Sequence, residues 1–379
     1  MLIDQLKYKL KKPPNDVRYR TIWQYLHIDI VLLSFLLLLS LAGLAILYSA
    51  SSENLRPVEL QTVRLILAYA MMVIVAQIPP ITLQRFAPWV YVIGLCLLLV
   101  VSVVGHIGKG GQRWLNLGII HLQPAELMKV AIPLILAWYY HQTSLPITLK
   151  SVLLAIPIIV IPAVLTAKQP DLGTAILLCI SGGAVLFLAG LSWRIILYTL
   201  VGIATSLPFV WYLLYDYQRQ RVLTFLNPEH DPLGNGYHII QSKIAIGSGG
   251  LFGKGWLNGT QSSLHFLPEH STDFIFAVCG EEFGFAGNLI LITLYLLVIA
   301  RGLYITLNAQ DTFSRLLAGS ITLTFFISFF INMGMVTGIL PVVGIPLPLV
   351  SYGGSSMVTM MASFGILMSI QTHRKLVTT

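Results

Sequence analysis

Charge is what this chain has least of. Lys, Arg, Asp and Glu make up 10% of its 379 residues, while 56% are hydrophobic, against roughly 25% charged in a soluble domain. That deficit excludes an ordinary soluble fold and predicts a polytopic membrane protein. Cysteine is scarce as well: Cys96, Cys179 and Cys279 stand far apart, so neither a disulfide framework nor a metal-ligand spacing follows. No internal repeat is evident, which argues against an inverted-repeat transporter. A cleavable signal peptide is not expected, because the first apolar run starts late and, at about 20 residues, is too long for an h-region. The net charge of +8 does not indicate nucleic acid. Six of the cations (Lys7, Lys9, Lys11, Lys12, Arg18 and Arg20) lie in the first 28 residues, which reads as a cytoplasmic tail beside acidic lipid headgroups.

What the chain does have is long apolar runs. Ten lie near 30–50, 63–80, 88–105, 122–141, 150–167, 171–191, 194–215, 273–303, 312–337 and 347–371, each near the ~20 residues that cross ~30 Å of hydrocarbon. The expected fold is therefore all-α, with about ten transmembrane helices and a large outer loop between spans seven and eight. An even number of spans puts both termini on one side. The expected organisation is a basic cytoplasmic tail over 1–29, one ten-helix membrane domain over 30–372 and a cytoplasmic tail over 373–379. Orientation rests on the N-terminal tail, because the remaining cations divide almost evenly between the two sides.

Four connections are informative. GHIGKGGQRWLNLGIIHLQP, after the third run, reads as a semi-ordered flap over the outer leaflet. AKQPDLG, with Lys168 and Asp171 around a proline turn, reads as a plain connector. GILPVVGIPLPLVSYGGSS carries no charge, and its prolines forbid regular helix. Irregular backbone near membrane depth is tolerated only where protein or a cavity covers it, so this stretch is expected to be partly re-entrant. The fourth is Asp216–Asp273, the one long polar segment. It holds Arg219, Arg221, Lys243 and Lys254, five acids and four histidines. Its aromatic content argues against disorder. The run from Asp273 to Leu303 spans 31 residues, roughly 46 Å as helix, too long for one crossing. Gly280 and Gly284 are its candidate break points, and Glu281 and Glu282 its expected interfacial structural carboxylates.

Inside the fourth run, Glu126 and Lys129 stand three apart and share a helix face. Charges at that depth normally face a bundle interior or a water-filled cavity. Two readings stand: a buried pair that fixes packing, or the lining of a polar cavity open toward the outer loop.

The stretches QRWLNLGIIHLQPAELMKVAI, QPDLGTAIL, DYQRQRV, GYHIIQSKIAIGSGGLFGKGW, GTQSSLHFLPEHSTDFIFAV and GILPVVGIPLPLVSYGGSS resemble the SEDS family over nearly the whole chain, its elongation members most. The resemblance implies a ten-helix peptidoglycan glycosyltransferase that polymerises lipid II at the outer face of the bacterial cytoplasmic (inner) membrane during elongation and rod-shape maintenance. It also implies a class B penicillin-binding transpeptidase as partner, alongside other elongation-complex membrane proteins. The family's essential loop aspartate falls on Asp273, and its cavity Glu and Lys on Glu126 and Lys129. The sequence departs at Ala125, where PSE would be expected, and mildly at Cys279 and Gly280.

The chemistry can be set against that expectation. The donor's leaving group is a lipid pyrophosphate, which departs as an anion and needs cations or a metal rather than a general acid. Hydrolytic glycosidases need two carboxylates because their leaving group is an alkoxide. One base and a basic cradle suffice here: Asp273 as base, with Arg221, Lys243 and, more weakly, Arg219 as pyrophosphate ligands. Inversion would give a β-linked product. A divalent cation at the pyrophosphate stays open; His230, His238, His265 and His270 are not spaced as a metal site. Two other readings stand beside the glycosyltransferase: a transporter or flippase for a lipid-linked sugar, and a non-catalytic scaffold.

Overall fold

A computed structural model describes residues 26–51, 54–108, 111–116, 121–143, 146–213, 216–230, 235–264, 266–267 and 269–374. Most of the basic tail (including Lys7 to Arg20), Lys109, Asp231, His265 and Lys375 lie outside them. So does the side chain of Arg221, although its backbone is helical.

Each apolar run overlaps a helix, the tenth only from Ser355 rather than from near 347: α1 (Ile30–Ala50), α2 (Leu55–Ala76), α3 (Pro80–Val104), α4 (Pro124–His141), α5 (Leu149–Lys168), α6 (Leu172–Leu188) and α7 (Trp193–Leu213). Three short helices follow: α8 (Asp216–Leu226), α9 (Asn235–Ser248) and α10 (Thr260–Ser263). The chain then runs through α11 (Ile275–Leu307), α12 (Thr312–Val336) and α13 (Ser355–Thr372). Six of these (α1, α2, α3, α5, α11 and α12) are individually long and apolar enough to cross a membrane.

Helix starts follow local chemistry. Asp29, Asn54, Thr148, Asp171 and Asp311 cap α1, α2, α5, α6 and α12 through their side chains, satisfying amides a first turn leaves free. Two starts come earlier than the apolar pattern suggests, at Leu55 rather than near 63 and at Pro80 rather than near 88. Asn54 caps the first of these. The second opens on Pro80, a position where the missing N–H costs nothing.

Two expected loops are ordered. The flap between α3 and α4 is a three-stranded antiparallel sheet, β1 (His106–Gly108), β2 (Gly111–Asn116) and β3 (His121–Leu122), in the order β1-β2-β3. Arg113 anchors it to the α5–α6 turn through Gln169 O (3.0 Å) and Pro170 O. The polar segment after α7 is mostly helix rather than loop. Its apolar residues bury one side of α9 against α11, with Ser242 Oγ bonded to Val336 O at 2.8 Å.

The bundle is built around α12, which packs on α4, α6 and α11; α13 lies along α2, and α1 along α11. An aromatic cluster joins α11, α12 and α13: Tyr295 stacks on Phe329 at 4.2 Å, and Phe325 meets Phe364 edge-on at 5.1 Å. Tyr295 Oη, fully buried, donates to Pro348 O, so the same cluster holds the last loop (338–354). At one end of the bundle Asp29 takes a 2.6 Å ion pair from Arg301, locking the start of α1 to α11.

Candidate functional site

The last loop organises the site. It is irregular, as its prolines require, and its polar backbone is held by side chains from the helices around it. Asn332 Nδ2 donates both to Ile345 O (2.8 Å) and to Asp273 O (2.9 Å). Ser351 Oγ donates to Thr272 O, and Tyr352 N donates to Ser271 O at 2.9 Å. Gln61 of α2 donates to Ser351 O (3.1 Å) and accepts from Gly353 N (3.3 Å). The strand of chain ending in Asp273 is thereby zipped to the loop, and the Asp273 carboxylate comes to rest beside Gly344. A Cβ added at Gly344 would stand 3.6 Å from Asp273 Oδ2.

The next residues of the loop, Ile345–Leu349, turn their other side to a cavity of about 430 Å³ including its open mouth. Glu126, Lys129, Ser328, Ser351 and Ser356 supply its polar lining. Lys129 Nζ stands 2.6 Å from Glu126 Oε1, and Thr359 Oγ1 donates to Glu126 Oε2 at 3.2 Å. The pair is thus both buried and cavity-lining. One short loop separates it from Asp273.

Asp273 does not start a helix. The first helical residue is Ile275 and its N-cap is Phe274.

The cations divide. Lys243, on α9, lies over the start of the last loop, where a Cβ at Gly338 would fall 2.8 Å from Nζ. Arg219 is elsewhere: Nε and Nη2 donate to Trp211 O (2.9 Å) and Tyr212 O (2.8 Å), satisfying carbonyls at the end of α7. Lys254, the remaining described cation of the polar segment, is a structural partner. Its Nζ is 2.6 Å from Glu281 Oε1, and Glu281 is fully buried, also accepting from Thr260 N (2.9 Å) and Gln261 N (3.1 Å). Glu282, equally buried, accepts from Ser49 Oγ. Glu281 and Glu282 are structural carboxylates, then, buried inside the protein.

Three contributors were not singled out from sequence: Asn332, Gln61 and Arg64. The Arg64 guanidinium lies over the Tyr352 ring, 4.5 Å from its centroid, and beside Gly354. The available signal was polarity inside an apolar helix, since side chains of this kind within spans mark pathways and sites. His238 of α9 stacks on Phe274 at 5.9 Å, next to Asp273. Burial lowers its pKa below the ordinary imidazole value, the Glu269 charge opposing. Among the described residues no three His, Cys, Asp or Glu side chains gather as a metal site.

A polytopic helical bundle with a charged cavity beneath an irregular loop defines a helical membrane protein. The chain belongs to the Cell cycle protein family of FtsW, RodA and SpoVE, the SEDS family, whose profile matches residues 22–376. It is 52% identical to the peptidoglycan glycosyltransferase MrdB of Escherichia coli K12, over 94% of this chain and 97% of that protein. It is 37% identical to a probable peptidoglycan glycosyltransferase FtsW of Geobacter metallireducens, over 92% and 95%. Among solved structures, it resembles a chain from work on the structural coordination of polymerization and crosslinking by a peptidoglycan synthase complex. There the TM-score is 0.80 and the identity 32%, covering 90% of this chain and 97% of that one. The rod shape determining protein RodA of Thermus thermophilus gives a TM-score of 0.69 at 27% identity, covering 92% and 98%.

Proposed function

We propose that the chain is a peptidoglycan glycosyltransferase of the RodA kind, joining lipid II units into glycan at the outer face of the bacterial inner membrane during elongation. Both termini are cytoplasmic in this reading, and Asp273 faces outward. The observation that carries it is the loop shared by Asp273 and the Glu126–Lys129 cavity, beside 52% identity to a protein of that activity.

In the reaction, a hydroxyl of the acceptor sugar attacks the anomeric carbon of the donor. Asp273 takes the hydroxyl proton, the bond to the lipid pyrophosphate breaks, and the pyrophosphate leaves as an anion. Attack from the opposite face inverts the α-linked centre to β. A positioned base of this type contributes about 10²–10⁴-fold. Lys243 and Arg221 are the proposed pyrophosphate ligands, joined by Arg64, whose guanidinium lies on Tyr352 of the same loop. Arg219 is the weakest of the original set, because two of its donors already serve α7. The scheme holds with or without a divalent cation on the pyrophosphate. A class B penicillin-binding transpeptidase is the proposed partner, with other elongation-complex membrane proteins and membrane lipids around it.

Purified protein reconstituted with lipid II on one face of a vesicle separates this reading from the alternatives. Glycan polymer is the expected product. Movement of lipid II without polymer would mean a flippase, and neither would mean a scaffold.

A further inference from the structure

The sequence between α9 and α10 reads GGLFGKGWLNG, where glycines alternate with large apolar residues and one cation. Its backbone is not free-standing. In α11 the ladder is broken at Gly284, whose φ is +66° and ψ −160°. The amides of Phe285 and Ala286 would normally bond to the carbonyls of Glu281 and Glu282. Here they donate to Gly250 O (2.9 Å) and Leu251 O (3.0 Å) of the loop. The freed carbonyls of Glu281 and Glu282 accept from Lys254 N and Gly255 N, each at 3.0 Å. The loop is spliced into the helix: two ladder bonds are exchanged for four bonds to the loop. Side chains could not fit: a Cβ on Gly253 would lie 2.1 Å from Glu282 O.

Two independent rulers place this splice below the membrane surface. From Arg301, at the charged end of α11, to Phe285 is sixteen residues, ~24 Å of helix, short of the ~30 Å hydrocarbon thickness. On α1, capped by Asp29 at that same end, Trp256 Nε1 donates to Ala45 O at 3.2 Å. Ala45 lies five residues short of the last residue of α1, Ala50, ~8 Å below that end.

At this depth the loop turns its charge inward, Lys254 onto Glu281, and its apolar side chains outward. Leu251 is 68% and Phe252 83% exposed, and they continue the surface of α11 formed by Phe285 (62%) and Ile290 (65%). Non-helical backbone is tolerated at membrane depth where protein pairs its polar groups, and the splice pairs the carbonyls of Gly250 and Leu251 and the amides of Lys254 and Gly255 with α11.

We propose that residues 249–257 form a re-entrant loop inserted into the membrane, with Leu251 and Phe252 seated among the acyl chains of the leaflet remote from the Asp29–Arg301 pair. The convex tip and its continuity with the lipid-facing band of α11 favour acyl chains as the occupant over a protein partner. The loop ties the polar segment before Asp273 to a fixed membrane depth.

The test uses the full chain in lipid nanodiscs, with exposed Cys96 and Cys179 replaced by Ser and a nitroxide attached at Leu251→Cys or Phe252→Cys. Ile290→Cys serves as the lipid reference and Glu229→Cys as the aqueous one. Collisions with oxygen and with a water-soluble nickel chelate are measured by power saturation. Both loop labels should match Ile290→Cys, with an oxygen-to-nickel ratio several-fold above that of Glu229→Cys. A ratio equal to that of Glu229→Cys at both positions would overturn the proposal by placing the loop in water. Shielding from both reagents would overturn it by showing a protein partner or second copy over the tip.

Discussion

Two lysine–glutamate pairs of equal length, 2.6 Å, stand among the described residues, and they are built differently. Glu281 has no exposure, and its oxygens are filled by an ammonium, a hydroxyl and two backbone amides. Nothing further can reach it. Glu126 has Lys129 on one oxygen and a 3.2 Å hydroxyl contact on the other, and both members line a cavity. The first pair closes a structure; the second leaves room for another molecule. Burial of charge alone does not identify a site, because what matters is whether the donors around it are already complete.

The sharpest way to break the comparison is to remove each lysine or glutamate in turn. Lys254→Met leaves Glu281 charged and sealed, which typically costs about 3–5 kcal/mol. Unfolding titrations should show that loss, while the surviving folded protein polymerises lipid II at near the normal specific rate. Glu126→Gln should do the reverse: a smaller destabilisation, below about 3 kcal/mol because the cavity admits water, with polymerisation falling by at least about tenfold. Adding Lys129→Met should restore stability and not activity. Equal effects of the two glutamates on both readouts would erase the distinction.

Lys243→Glu comes next. Charge-assisted hydrogen bonds are worth about 1.5–3 kcal/mol, so lipid II binding should weaken by roughly ten- to a hundredfold, with stability unchanged. Arg219→Gln should weaken binding little, since its donors serve α7. The smallest effect is at His238. Burial lowers its folded pKa, so the unfolded chain binds the proton that the folded one refuses. Stability is therefore full above the ordinary value of about 6.5 and declines as pH falls below it. His238→Gln should flatten that slope in thermal unfolding between pH 7 and pH 5.

Most of the fold was legible because membrane helices announce themselves through apolar length. The break in α11 was legible as well, because 31 residues exceed one crossing. What pattern could not give was the secondary structure of the connections. The flap sheet and α8–α10 are stabilised by tertiary bonds such as Arg113 to Gln169 O and Ser242 to Val336 O, which no local periodicity encodes. For the candidate site, Asp273, Glu126 and Lys129 were singled out in the sequence as acids and a cation in telling positions. The Lys254–Glu281 pair was not legible, because its members lie 27 residues apart. Asn332 was passed over because a single amide in an apolar helix looks incidental until its two carbonyl partners are seen.

The central claim is that Asp273 is the base for a site organised by the last loop. The direct measurement is the rate of lipid II polymerisation by Asp273→Asn beside wild type, in the same vesicles and with folding checked by thermal melting. The substitution keeps the shape of the side chain and removes its basicity. The account predicts an unchanged melting temperature and a rate lower by about 10²–10⁴-fold. A folded Asp273→Asn protein that polymerises lipid II at the wild-type rate would contradict it.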